Sequence, residues 1–280
     1  MKAVFVFCEG NHDVEFTARS LGKVASAQWV GKPIGSLPSP LGPVPDPSRP
    51  KDPKIKSVIA LRYSARVLDD LSLRAVAHAP PPTFESVIQH GDTLYVLICC
   101  HGDAAADAAA ELVSEFSALH DPAFGTDIKQ LAAAFLFDAD ENVGKREQTF
   151  AAQYATMLSG SPAPTHGTWV KGSLPVGLYV FHDTTARQGT LEDVLGLLVS
   201  AEWNARWAAA DTYLSAHMAP TDPVAKKPAE KLKAQINITG QFLLPGDPMS
   251  QVIGRKGLPA AHFNGPESRA LVAFLQGVPW

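Results

Sequence analysis

Two short apolar runs, far apart in the chain, each stop abruptly at carboxylates, and this limits the fold more than any other feature. Val4-Phe5-Val6-Phe7-Cys8 runs into Glu9-Gly10, and Ala134-Phe135-Leu136-Phe137 runs into Asp138-Ala139-Asp140. Continuous apolar strands, as opposed to alternating ones, fit a parallel sheet covered on both faces. In such sheets ligands bind at the C-terminal edge of the strands. Acids gathered there repel one another unless a positive partner sits among them, and the usual partner is a hard divalent cation. The two acids of Asp138-x-Asp140, spaced two residues apart in extended chain, are expected to point to one side. Gly10 is expected to permit a tight turn near a ligand. The resulting expectation is a metal-dependent enzyme acting on phosphate, with Asp138 and Asp140 as a pair of solvated turn residues on the simpler reading.

At 280 residues and 46% apolar composition the chain can bury a large core, which excludes global disorder. A net charge of −4 excludes a basic nucleic-acid binder, so any contact with nucleic acid must be local and helped by metal. Three cysteines, two of them adjacent, make no disulfide framework and read as buried small hydrophobes in a reducing compartment. Met1-Lys2 leads straight into a strand, and no apolar run approaches the ~20 residues of a membrane span. A cytoplasmic protein without membrane contact is expected.

Strands are expected at 3–8, 93–100, 131–137 and 177–181, with helices at 13–22, 104–119, 144–158, 191–199 (continued or followed by 201–217), 229–241 and 266–275. This alternation predicts an α/β fold with a mostly parallel sheet and helices on both faces. Residues 31–92, opened by a dense run of prolines, read as an insertion or surface excursion with a short strand at 58–62. The expected division is a core of residues 1–218 and a helical C-terminal extension, 219–280, packed on it.

The ordered combination of strand-Glu9-Gly10-x-x-Asp13 and strand-Asp138-x-Asp140 resembles a TOPRIM domain, whose members include topoisomerases, primases and nucleases. Gly177-Leu-Tyr-Val-Phe-His-Asp183, Gly189-Thr-Leu-Glu192-Asp193, Lys233-Ala-Gln-Ile and Gly254-Arg-Lys-Gly257 are similar to segments of its OLD-family nuclease branch and of standalone TOPRIM-like proteins. The resemblance covers most of the chain apart from the Pro-rich stretch. It implies a Rossmann-like fold, Mg²⁺ or Mn²⁺ as cofactor, and DNA or RNA as substrate. It makes Glu9 a general base or metal ligand and Asp138 and Asp140 metal ligands. Asp13, Glu192, Asp183 and Asp193 become further ligand candidates, and Lys233 a stabiliser of charge on the scissile phosphate, with Lys231 its competitor. Asp is shorter than the Glu common at position 13.

Other readings stand beside these. Asp13, Glu192 and Asp193 each suit the acidic first turn of a helix. Lys226, Lys227, Lys231 and Lys233 suit a solvated helix face. Trp203 and Trp207, at i,i+4 spacing, suit a core more than a base-stacking platform. The histidines lack zinc-ligand spacing with cysteine, and no Gly-x-Ser-x-Gly elbow or Gly-x-x-x-x-Gly-Lys-Ser/Thr loop occurs. Without the ATPase motif, the assembly expected leaves room for a homodimer or a separate ATPase partner. The rival functions are a non-catalytic nucleic-acid, nucleotide or partner-binding module and a hydrolase of small phosphate esters.

Overall fold

The computed structural model describes residues 1–30, 38, 83–102, 109–114, 127–158, 160–183, 185–226, 228–246, 249–254 and 257–280. The prolines of 39–53, the strand expected at 58–62 and most of the helix expected at 104–119 lie outside the described residues; 109–114 are helical.

Among the described residues seven strands form one sheet: β1 (Lys2–Cys8), β2 (Gln28–Trp29), β3 (Thr83–His90), β4 (Thr93–Cys99), β5 (Gln130–Asp138), β6 (Thr168–Val170) and β7 (Val176–Phe181). Their order is β2-β3-β4-β1-β5-β7-β6. Strands β4, β1, β5 and β7 run parallel, and β2, β3 and β6 join antiparallel at the two edges. The parallel strands are the ones with unbroken apolar runs, because a strand with helices over both faces has no wet side.

The strand β3 corrects the reading of 31–92 as a surface excursion. Its residues pair with β4 from Thr83↔Cys99 to His90↔Thr93, so the end of that stretch belongs to the sheet. Its polar and apolar residues do not alternate cleanly, and the register shifts between Phe84 and Ser86.

Two apolar clusters fill the two faces. One gathers Val4, Val6 and Cys8 with α1 (Asn11–Val24), α4 (Leu191–Glu202), α7 (Pro228–Gln241), α8 (Met249–Ile253) and α9 (Pro266–Gln276). The other gathers Phe5, Phe7 and Phe135 with residues 109–113, α2 (Val143–Gln153) and α3 (Ala155–Leu158). Phe7 and Phe135 stack at 4.9 Å, and Phe150 and Tyr154 close over them. Alternate residues of β1 therefore anchor opposite layers, as the two-residue period of a strand demands. The single helix expected at 144–158 is two, since Tyr154 leaves helical geometry (φ −104, ψ 15) and turns its ring into the core.

Helix α5 (Asn204–His217) follows α4, and α6 (Pro223–Lys226) precedes α7. Trp203 and Trp207 pack against the first cluster, as a core role requires. Helix α9 also lies against α1 within that cluster, with Ser20 Oγ donating to Ser268 Oγ at 3.0 Å. Cys8, Cys99 and Cys100 are buried free thiols. Among the described residues no helix is long and apolar enough to cross a membrane.

Candidate functional site

The chain leaves β1 through α1 towards one side of the sheet and leaves β5 through α2 on the opposite face. The neighbouring C-terminal ends of β1 and β5 are therefore a switch point, where an open α/β sheet forms a crevice. Glu9 follows β1 and Asp138 closes β5. The main-chain N–H of Asp138 donates to Glu9 Oε2 at 3.1 Å.

Two further acids reach this point. Asp13 sits in the first turn of α1, where its Oδ2 accepts from Gly10 N–H at 2.6 Å. The sequence puts it there because an acid at the third helical position bonds back to the cap. Asp13 is nonetheless buried, and Glu9 and Glu192 act on it electrostatically, so its helix-start role does not remove it from the cluster. Glu192 enters from the first turn of α4 and is also buried. Leu191 N–H in the same turn donates to Asp138 Oδ1 at 2.8 Å.

The electrostatics follow from four acids sharing a small space. Burial, then the charges of Glu9 and Glu192, hold the Asp13 carboxyl well above its ordinary range; the Gly10 hydrogen bond pulls the other way. Burial raises Asp138 likewise, followed by Asp13, Glu9 and Glu192. Lys233, on α7, stands 3.9 Å from Glu192 Oε1. Burial disfavours its charged form, but Glu192 and Glu230 outweigh that and raise its pKa. Lys231 pairs with Asp211 at 2.9 Å instead, so of the two lysines it is Lys233 that faces the acids. His12 Nδ1 lies 3.6 Å from Glu192 Oε1, and burial together with Lys233 lowers its pKa to about 4.

Three sequence expectations are corrected. Asp138 and Asp140 do not share their partners: Asp138 Oδ1 accepts from Leu191 N–H, and Asp140 Oδ2 accepts from Arg146. Asp140 has a left-handed backbone (φ 51) and forms an antiparallel bridge with Gly189, with N–H···O bonds of 2.8 and 3.0 Å. Its carboxylate takes a bond from Arg146 at 2.5 Å and is 59% exposed. Gly10 is not needed for a tight path, since its φ of −139 and ψ of 175 suit any residue. Asp183 and Asp193 each serve a local backbone role among the described residues. Asp183 caps a turn by accepting from Thr185 and Ala186 N–H, which lowers its pKa. Asp193 completes a capping box by accepting from Thr190 N–H at 2.8 Å.

Arg146 is a residue that sequence reasoning missed. Only 7% exposed, it donates from Nε to the Asp138 carbonyl at 2.7 Å and stands 3.9 Å from Glu9 Oε2. It lies in Gly144-Lys145-Arg146-Glu147-Gln148, which reads as a solvated helix start.

No family model matches the chain, and no curated protein matches it. Among solved structures the fold is similar to that of a hypothetical protein from Pyrococcus horikoshii OT3. That likeness has 12% identity and a TM-score of 0.45, over 99% of this chain and 95% of that one.

The chemistry of the donors suits a hard divalent cation. All four are carboxylates, as Mg²⁺ and Mn²⁺ prefer. Glu192 Oε2 is buried with no hydrogen-bond partner among the described residues, an arrangement that costs free energy unless a ligand offsets it. Among the described residues, no three such side chains stand ready-grouped as a coordination shell. Main-chain N–H groups of Asp138, Gly10 and Leu191 hold Glu9, Asp13 and Asp138 in their present positions.

Proposed function

We propose that this edge is the catalytic site of a divalent-metal-dependent phosphodiesterase acting on DNA or RNA, within a TOPRIM-like core. The observation that carries the reading is the gathering of Glu9, Asp13, Asp138 and Glu192 beside one lysine at the switch point. Such a cluster repels a phosphate on its own, so phosphate chemistry here requires a cation. Glu9, Asp13, Asp138 and Glu192 would hold it, and when bound it supplies charge neutralisation for the phosphate.

The protein's own side chains divide the remaining work. Glu9 is 24% exposed against 4% for Glu192, so it is better placed to accept a proton from an attacking water. Lys233, cationic at neutral pH, steadies charge developing on a phosphate oxygen. The buried free thiols support a reducing, cytoplasmic setting.

A second reading, a binding module of the same fold without catalysis, draws on the lack of a ready-grouped shell among the described residues. Incubating the protein with plasmid and with RNA, in Mn²⁺ or EDTA, separates the two. Cleavage is expected in Mn²⁺ and its loss in a Glu9→Gln, Asp138→Asn double variant. Equal cleavage by that variant sinks the catalytic assignment, and turnover of nucleotide esters without polymer cleavage moves the substrate to small phosphate esters.

A further inference from the structure

We infer that Arg146 supplies the second positive charge of this site, so that each chain takes up one divalent cation where the paired acids of Asp138-x-Asp140 would otherwise invite two. The inference rests on the metal-dependent reading above.

Its basis is how Arg146 is held and what it touches. The guanidinium donates to the Asp138 carbonyl and to Asp140 Oδ2, approaches Glu9 Oε2, and lies 5.6 Å over the Phe137 ring. Three features at the end of β5 and one at the end of β1 therefore converge on a single side chain that is 7% exposed. Arginine stays charged at every pH the protein meets. A cation seated on Asp140 would have to displace that side chain or stand beside it. The first leaves a buried guanidinium without its carboxylate, and the second sets two positive charges side by side.

The backbone reinforces this division. Asp140 is fixed in its left-handed turn by the two bonds to Gly189, which present its carboxylate to α2. Asp138, two residues before that turn, stays with Asp13 and Glu192 and accepts from Leu191 N–H. The Asp-x-Asp pair is thus split between two positive partners: Asp138 serves the cation and Asp140 serves the arginine. Glu192 Oε2, buried with no hydrogen-bond partner among the described residues, follows directly on Leu191, whose N–H bonds Asp138, and the single ion belongs there. Arg146 is a positioning residue in this arrangement, acting on substrate through Asp140, Glu9 and the strand end.

Counting Mn²⁺ ions per full-length chain by electron paramagnetic resonance tests it, with no need of substrate. One ion per wild-type chain is expected, still one in Asp140→Asn, and none in Glu192→Gln. Arg146→Met is expected to bind a second ion through the released Asp140, and an Arg146→Met, Asp140→Asn double variant to return to one. Arg146→Lys should stay at one, because the charge remains. A purely structural arginine would lose ions on substitution and never gain one. Two ions on the wild-type chain, falling to one in Asp140→Asn, overturn the inference and leave the metal-dependent reading intact. No ion on the wild-type chain overturns both. Should circular dichroism show Arg146→Met unfolded, the exposed Asp140→Asn change decides by itself.

Discussion

The main-chain N–H of Asp138 donates to Glu9 Oε2 at 3.1 Å, joining the ends of adjacent parallel strands that lie 129 residues apart in sequence. The bond ties one oxygen of Glu9 to the backbone of β5. Glu9→Gln keeps an acceptor for that N–H and removes the ability to take a proton. Single-turnover cleavage should fall by roughly 10²-fold or more, the scale of general-base catalysis. Thermal melting should stay within about 1 kcal/mol of wild type.

The raised carboxyls make the metal-free protein sensitive to alkali. The folded state binds the protons of Asp13 and Asp138 more tightly than the unfolded chain does. That contribution is fully present below the ordinary carboxylate range, about pH 4, and is lost as pH climbs through the raised values. Asp138→Asn removes one charge while its Oδ1 still accepts from Leu191 N–H. In EDTA at pH 8 it should raise stability by about 1 kcal/mol, with the gain disappearing towards pH 4. Mn²⁺ at ~100 times its dissociation constant should stabilise the wild type by about 2.7 kcal/mol. Calorimetry across pH, with and without the ion, measures both.

The two candidate lysines should separate sharply. Lys233 faces Glu192, whereas Lys231 forms an ion pair with Asp211 on α5. Lys233→Met should cost on the order of 10²-fold in cleavage rate, as loss of one charge-stabilising donor does. Lys231→Met should stay within about threefold, because surface ion pairs contribute little.

Adjacent acids in the first turn of α4 should behave oppositely. Asp193→Ala loses the bond to Thr190 N–H and should destabilise by about 1 kcal/mol without changing Mn²⁺ affinity. Glu192→Gln should abolish Mn²⁺ binding while leaving the helix intact. Isothermal titration beside a melting curve reads the pair, and a loss of Mn²⁺ affinity in Asp193→Ala would place the wrong acid at the site.

Gly257 is demanded by packing. A Cβ there would lie 1.7 Å from the carbonyl oxygen of Val252, the same oxygen that accepts from Leu258 N–H. Gly257→Ala should destabilise the protein by about 1–3 kcal/mol, the usual range for overpacking. A melt unchanged by the substitution would contradict this contact.

The parallel strands and helix order were readable because each strand is an unbroken apolar run and each helix keeps its own period. Strand β3 was not, since Thr83-Phe-Glu-Ser-Val-Ile-Gln-His90 follows three prolines and mixes polar with apolar residues without a clean two-residue period. Glu9 and Asp138 were legible as strand ends. The fate of Asp140 was hidden, because a left-handed turn and a bridge to Gly189 depend on a loop far along the chain. Arg146 was hidden for a related reason: periodicity does not reveal which surface a charged helix start will face.

Strand β1 is hydrogen-bonded to β4 along one side and to β5 along the other over its whole length. Its amides can exchange with deuterium only when the sheet itself comes apart, so they should be among the slowest in the molecule. Glu9 therefore stands at the end of the strand that opens last. Glu192 comes instead from the first turn of a helix, outside the hydrogen-bonded ladder of the sheet. The carboxylate that follows β1 is thus seated on the part of the fold expected to keep its place longest.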